Sequence, residues 1–169
     1  AFPLEVRGVD KESRHAKARE YIQRVGLTGF ENHYPHELSG GMRQRVNIIR
    51  TLIYDPEVIL MDEPFGPLDA QTRIILQDQL LGLWEEARKT VIFITHDLVE
   101  AIALADRVVV MTSRPGTLRS VTPVDIPRPR NVFRIHREEN FREIYDNLWE
   151  ELREEVQRSE EWIQKASGE

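Results

Sequence analysis

A serine and two glycines, Ser39-Gly40-Gly41, stand directly before the helical-looking run MRQRVNIIR. Ser39 suits an N-cap, and Gly40 and Gly41 leave the first backbone N–H groups open to another molecule, with no Cβ in the way. A helix start carries unpaired donors and a partial positive charge, which suits a phosphate. The same three residues also make an ordinary cap and turn, so alone they do not decide. Asp62-Glu63 follows the apolar run VILM and precedes Pro64. Asp62 could hold Mg²⁺ through a water, because hard cations take oxygen ligands, and Glu63 is placed to polarise an attacking water. The competing reading is two solvated carboxylates in a turn. Asp69, in GPLDA, reads as the N-cap of a long helix, and His96, in ITHD, would by itself be a structural histidine. Each of these features ends a strand or opens a helix, and α/β sheets place their ligands at the carboxyl ends of strands. Coincidence explains that order poorly.

The elements that must position them alternate between helix and strand. Residues 11–25 suit a polar surface helix with Tyr21, Ile22 and Val25 on one side and Gly26 as its stop. Met42, Val46, Ile49 and Ile53 recur on one helical face, and Pro56 ends that helix. VILM (58–61), TVIFIT (90–95) and RVVVMT (107–112) are continuous apolar runs, as expected of strands buried on both faces. Residues 69–89 form a long helix whose buried side is Ile75, Leu76, Leu80, Leu83, Trp84 and Ala87. DLVEAIALA reads as a helix capped by Asp97, with Glu100 three residues on. Strand–helix–strand spacing of this kind implies βαβ units and a parallel sheet. The proline- and arginine-rich stretch 126–131 is a linker to a final helix over 138–165, whose stripe Phe141, Tyr145, Leu148, Leu152 and Val156 packs on its own domain.

Composition bounds the partners. The 169 residues are 40% hydrophobic and 31% charged, enough for one ordinary domain with a core. Twenty-nine acidic against 23 basic residues give a net charge of −6, which argues against nucleic acid as the default partner. The absence of cysteine excludes a disulfide framework and a thiolate metal site. No apolar run approaches the length of a membrane span, and no secretory signal is visible. The histidines of HYPH (33–36) read as a loop leading into the serine–glycine stretch rather than as a metal pair. Arg128, Arg130, Arg134 and Arg137 read as a solvated linker.

The order and wording of these stretches resemble the nucleotide-binding subunit of ATP-binding cassette (ABC) transporters. LSGGMRQRV is similar to the family signature, VILMDEP to its Walker B strand with the catalytic glutamate, PLDA to the D-loop, and THD to the H-loop. The DEPFGPLD wording looks like that of bacterial importers, and the tail DIPRPRNVF…IYDNLWEELR like the nitrate, sulfonate, taurine and bicarbonate group. The resemblance implies an α/β fold: a P-loop NTPase-like parallel sheet flanked by helices, the C-terminal part of the nucleotide-binding domain, with part of the helical subdomain. Residues 1–56 would belong to the helical subdomain, 57–126 to the catalytic core, and 127–169 to a linker and C-terminal helix.

It further implies that Ser39, Gly40 and Gly41 meet the γ-phosphate of an ATP held by an opposite subunit. Gln44 would reach that nucleotide's ribose, and Asp69 would act across the dimer. Asp62 would take Mg²⁺ and its waters, Glu63 the attacking water, and His96 the γ-phosphate and that water. The implied partners are a second nucleotide-binding subunit, transmembrane permease subunits and, indirectly, a solute-binding protein, but no nucleic acid. The implied place is the cytoplasmic face of the cell membrane, as a peripheral subunit. Arg43, Arg45 and Arg50 are expected to make contacts on the helical subdomain rather than to touch phosphate.

Three departures matter. Asn47 and Ile49 replace two alanines of the family wording, and Pro67 replaces another; these are packing changes expected to be tolerated. No lysine follows a glycine, so the 169 residues hold no G-x-x-x-x-G-K-[ST] phosphate loop. The chain therefore reads as an N-terminally truncated subunit, inactive in ATP hydrolysis by itself. A non-enzymatic interaction module and a DNA-repair-type ABC ATPase are the alternatives. The second would need a long coiled coil ahead of the signature, which this chain lacks.

Overall fold

The computed structural model describes residues 1–167, in two compact units, Ala1–Thr95 and a second that begins at His96. The architecture is mixed α/β with a parallel sheet and helices, as the sequence implies. Unit one contains α1 (Phe2–Val6), α2 (Lys11–Arg24), α3 (Gly40–Leu52), β1 (Val58–Asp62), α4 (Ala70–Ala87) and β2 (Thr90–Ile94). Helix α1 was not expected. Helix α2 stops where the sequence indicates, with Gly26 at φ +67, a conformation that glycine adopts without steric cost. Helix α3 buries Ile48, Ile49 and Leu52 and ends ahead of Pro56. Strands β1 and β2 are parallel and in register from Val58 opposite Thr90 to Asp62 opposite Ile94, with α4 as the crossover.

The expectation that these strands are buried on both faces is not met. Ile59 is buried, but Val58, Leu60, Ile92 and Ile94 are 51 to 74% exposed. A continuous apolar run suits a strand covered on both faces, and only one face is covered among the described residues. The buried side of α4 also turns slightly from the expected one. Leu76, Leu80, Leu81 and Leu83 are buried, with Gln77, whereas Ile75 is 40% exposed. Trp84 is half-buried, and its indole N–H donates to the Lys89 carbonyl at 2.5 Å. The side chain of Ala87 lies outside the described residues.

The second unit holds α5 (Leu98–Leu104), β3 (Arg107–Met111), β4 (Leu118–Pro123), a 3-10 segment (Val132–Arg137) and α6 (Phe141–Ser167). Asp97 caps α5 as expected, accepting from the Val99 and Glu100 N–H groups at 2.9 and 3.1 Å. Strand β3 corrects the sequence reading: it pairs antiparallel with β4, an unanticipated strand, instead of joining a parallel sheet. The reason is local. Pro115-Gly116 lies between the two runs, and the Thr112 hydroxyl closes the turn onto the Pro115 carbonyl at 2.6 Å.

The arginine-rich linker is corrected too. Arg134 and Arg137 are exposed, but Arg130 is only 7% exposed. Its guanidinium donates to the carbonyls of Ile126 (2.9 Å), Ile102 (3.0 Å), Ala105 (2.6 Å) and Val124 (3.0 Å). Arg128 adds an ion pair to Asp106 at 2.8 Å and a bond to the Leu104 carbonyl. A rigid fork of donors can satisfy several orphan carbonyls at once, and this one stitches the segment after β4 to the end of α5. Among the described residues, no helix is long and apolar enough to cross a membrane.

Candidate functional site

Helices α3 and α4 begin close together in unit one, and both are capped by the expected side chains. Ser39 Oγ accepts from the Met42 N–H at 3.3 Å, and Asp69 Oδ1 from the Thr72 N–H at 3.0 Å. Hydrogen bonds from Thr72, its backbone N–H foremost, hold the Asp69 carboxyl below the usual carboxylate range. Between the two helix starts lies a cleft of about 500 Å³ whose lining includes Ser39, Gly40, Gly41, Arg45, Asp69 and Thr72.

The two glycines do different work there. A Cβ on Gly40 would meet nothing within 4 Å, so its backbone is open to a ligand. A Cβ on Gly41 would sit 2.8 Å from Thr72 Cγ2, closer than packed carbons come. A side chain at Gly41 would thus force Thr72 of α4 to shift within the same chain, whatever binds beside it. Nothing in LSGGMRQRV reveals that, because Thr72 lies 31 positions away. Arg45 donates to the Val25 carbonyl at 3.1 Å, and its buried Nε has no hydrogen-bond partner among the described residues. Arg43 donates to the Leu38 carbonyl at 2.5 Å. Both arginines make their contacts within the unit, as expected.

Asp62 and Glu63 stand apart from that cleft, at the carboxyl end of β1. Both are exposed. Glu63 takes a left-handed backbone, φ +46, while its N–H donates to the Ile94 carbonyl at 2.9 Å and its own carbonyl accepts from Gly66 N–H at 3.2 Å. A non-glycine residue held there costs roughly 1–2 kcal/mol. Phe65, fully buried, anchors the turn that imposes it. Gln44 donates its side-chain amide to the Pro64 carbonyl, tying α3 to the same turn. His96 opens unit two, exposed, next to the cap Asp97.

Among the described residues, no three His, Cys, Asp or Glu side chains converge on a metal position. The donor set at β1 is Asp62 with its neighbour, which fits a hard cation that keeps most of its waters and takes other oxygens from a phosphate. Cleft and strand end together offer a capped helix start lined by two glycines and exposed carboxylates. That is the inventory for positioning a phosphoryl group and a water.

The chain is similar to known proteins along much of its length. Residues 3–66 match the ABC transporter family model. The chain is 50% identical to an uncharacterised ABC transporter ATP-binding protein of Methanocaldococcus jannaschii, across 89% of this chain and 57% of that protein. It is 49% identical to an aliphatic sulfonates import ATP-binding protein of Bacillus cereus, across 76% of this chain and 49% of the relative. The chain belongs to the ABC transporter ATP-binding family. It is also similar to a solved metal-chelate type ABC transporter in an inward-facing conformation, with TM-score 0.59 and 26% identity over 66% of this chain and 45% of that one. The chain spans about half the length of the curated relatives it matches.

Proposed function

We propose that this chain is part of the ATP-hydrolysing subunit of an ABC importer and energises solute uptake through ATP-driven closure of two such subunits. The observation that carries this reading is the open helix start at Gly40. Gly40 lines the cleft, and a Cβ on it would meet nothing within 4 Å, so the helix start carries no side chain of its own there. In that role Ser39, Gly40 and Gly41 bind the γ-phosphate of a nucleotide held by the second subunit, while Gln44 and Asp69 serve the same shared interface. Glu63 orients the attacking water and takes its proton, and His96 assists at the γ-phosphate. Asp62 would hold Mg²⁺ through water; when bound, the ion offsets charge on the phosphates. The partners follow: a second nucleotide-binding subunit, membrane permease subunits and a solute-binding protein, with the chain at the cytoplasmic face of the membrane. The 169 residues alone are inactive under this reading, because the lysine-bearing phosphate loop is not among them.

Glu63→Gln in a full-length subunit tests it. The amide keeps shape and hydrogen bonding but cannot take a proton. Hydrolysis should fall by roughly 10²–10⁴-fold while nucleotide binding and ATP-dependent dimerisation survive. Near-parental turnover in that variant would reduce Glu63 to a turn residue and sink the proposal.

A further inference from the structure

Helix α6 carries two apolar stripes, and its own unit fully buries only one. Phe141, Ile144 and Leu148 are buried, and Glu155 continues that line, accepting from the Ser113 N–H at 3.3 Å and from Arg158 at 2.8 Å. The second stripe is Tyr145, Trp149, Leu152 and Val156. Trp149 is 54% and Val156 55% exposed, with Tyr145 and Leu152 half-buried. The expectation that the whole stripe packs on its own domain therefore holds for Phe141 and Leu148 and fails at Val156. The spacing of the second stripe, four, three and four, is that of the a and d positions of a coiled-coil seam.

We propose that this seam pairs with the same seam of a second copy of the chain, antiparallel, about a two-fold axis between Glu150 and Glu151. Trp149 then meets Leu152 of the other copy, and Tyr145 meets its Val156. Charge selects this arrangement. One flank of the seam, Leu148 and Glu155, is buried in the unit itself; the open flank carries Asp146 and Arg153. Those two are seven residues apart, about 10 Å along one helix, so they cannot pair with each other in one copy. Antiparallel two-fold pairing brings Asp146 of each copy to Arg153 of the other, twice over. A parallel arrangement would set each charge against the buried flank, with no partner. The present bonds of these residues, Arg142 to Asp146 at 3.7 Å and Arg153 to Glu150 at 2.5 Å, are exposed surface pairs and hold them weakly. A seam of four side chains is small, so the association is a modest one. It needs no nucleotide, and its failure would leave the ATPase proposal untouched.

Sedimentation equilibrium of the 169-residue chain without nucleotide is the test. The expected result is a reversible dimer at high micromolar concentration. Trp149→Glu should weaken it by roughly 30-fold or more, as for a buried aromatic anchor. Arg153→Asp should weaken it as well. Combining Asp146→Arg with Arg153→Asp should restore affinity to within about threefold of the parent, a rescue that a merely structural role does not produce. Circular dichroism checks that each variant folds, and Val156→Glu replaces Trp149→Glu if the latter does not. A chain monomeric throughout overturns the proposal. So does a dimer indifferent to both seam variants, a charge swap without rescue, or a dimer lost on Leu60→Glu, which would assign association to the exposed sheet face.

Discussion

The junction of α3 with α4 and the end of β1 lie in the same unit, and they are built on opposite terms. At the junction the helix ends are well satisfied: both helices are capped, Gly41 makes room for Thr72, and the Asp69 carboxylate is stabilised by the donors it accepts from. At the strand end Glu63 sits exposed in a left-handed conformation, and the strands beneath it leave one apolar face uncovered. One place is optimised for folding and the other tolerates strain. Buried Phe65 and the backbone bonds of Glu63 to Ile94 and Gly66 hold that strain in place.

The sharpest way to break that contrast is Glu63→Gly. Glycine accepts φ +46 freely, so the strain is released and the chain should gain roughly 1 kcal/mol in a urea melt, partly offset by glycine's greater freedom when unfolded. Hydrolysis by the full-length subunit should fall at least as far as in Glu63→Gln, roughly 10²–10⁴-fold. Lower stability in the glycine variant would mean that the left-handed turn is not strained.

Next in size is the difference between neighbouring glycines. Gly41→Ala forces a methyl into Thr72 Cγ2 and should destabilise the chain by roughly 1–3 kcal/mol, the usual cost of overpacking. Gly40→Ala meets open space and should be neutral or slightly stabilising, because alanine is the better helix former. Adding Thr72→Ser removes the offending methyl and should recover most of the loss. Equal losses at the two glycines, or no recovery with serine, would remove the packing explanation for Gly41. For nucleotide studies Gly40→Asp is then the cleaner probe, because Gly41→Asp confounds repulsion of phosphate with a clash inside its own chain.

Ser39→Ala should cost about 1 kcal/mol, the ordinary value of an N-cap hydroxyl, in a thermal or urea melt of the same chain. A loss near zero would show that the Met42 N–H finds water as readily as it finds Ser39.

Much of this was legible in the sequence, and the rest failed for definable reasons. Ser39, Asp69 and Asp97 were readable as caps because capping is local: the acceptor and its N–H lie two or three residues apart. Parallel pairing of β1 with β2 was readable from the strand–helix–strand spacing. The face that β1 exposes was not, because an all-apolar run has no alternation to reveal which side is covered. Arg130 was misread for a related reason. Its four carbonyl partners include Ile102, 28 positions earlier, and a guanidinium that caps remote backbone looks in sequence like any solvated arginine. Gly41 shows both limits together. Its type fits a phosphate site, while the packing limit on it comes from Thr72 on another helix.

The smallest effect concerns protons at the junction. Asp69 is held below the usual carboxylate range chiefly by the Thr72 backbone N–H, then by the Thr72 side chain, with burial opposing. A depressed folded-state pKa means the unfolded chain binds the proton more readily. The stabilisation from this carboxylate is therefore fully present above the unfolded pKa and is lost as pH falls through the folded one. Asp10 and Asp55 are depressed too, so the parent's acid sensitivity cannot be assigned to any one group. The difference between parent and Asp69→Asn isolates it. Asparagine still caps a helix but does not titrate, so the parent's advantage should be constant near neutrality and shrink as pH falls from about 5 towards 3. Thermal melts of both proteins across that range measure it. Melting curves that fall in parallel would mean that Asp69 caps α4 through geometry alone, and that its charge contributes nothing to the junction.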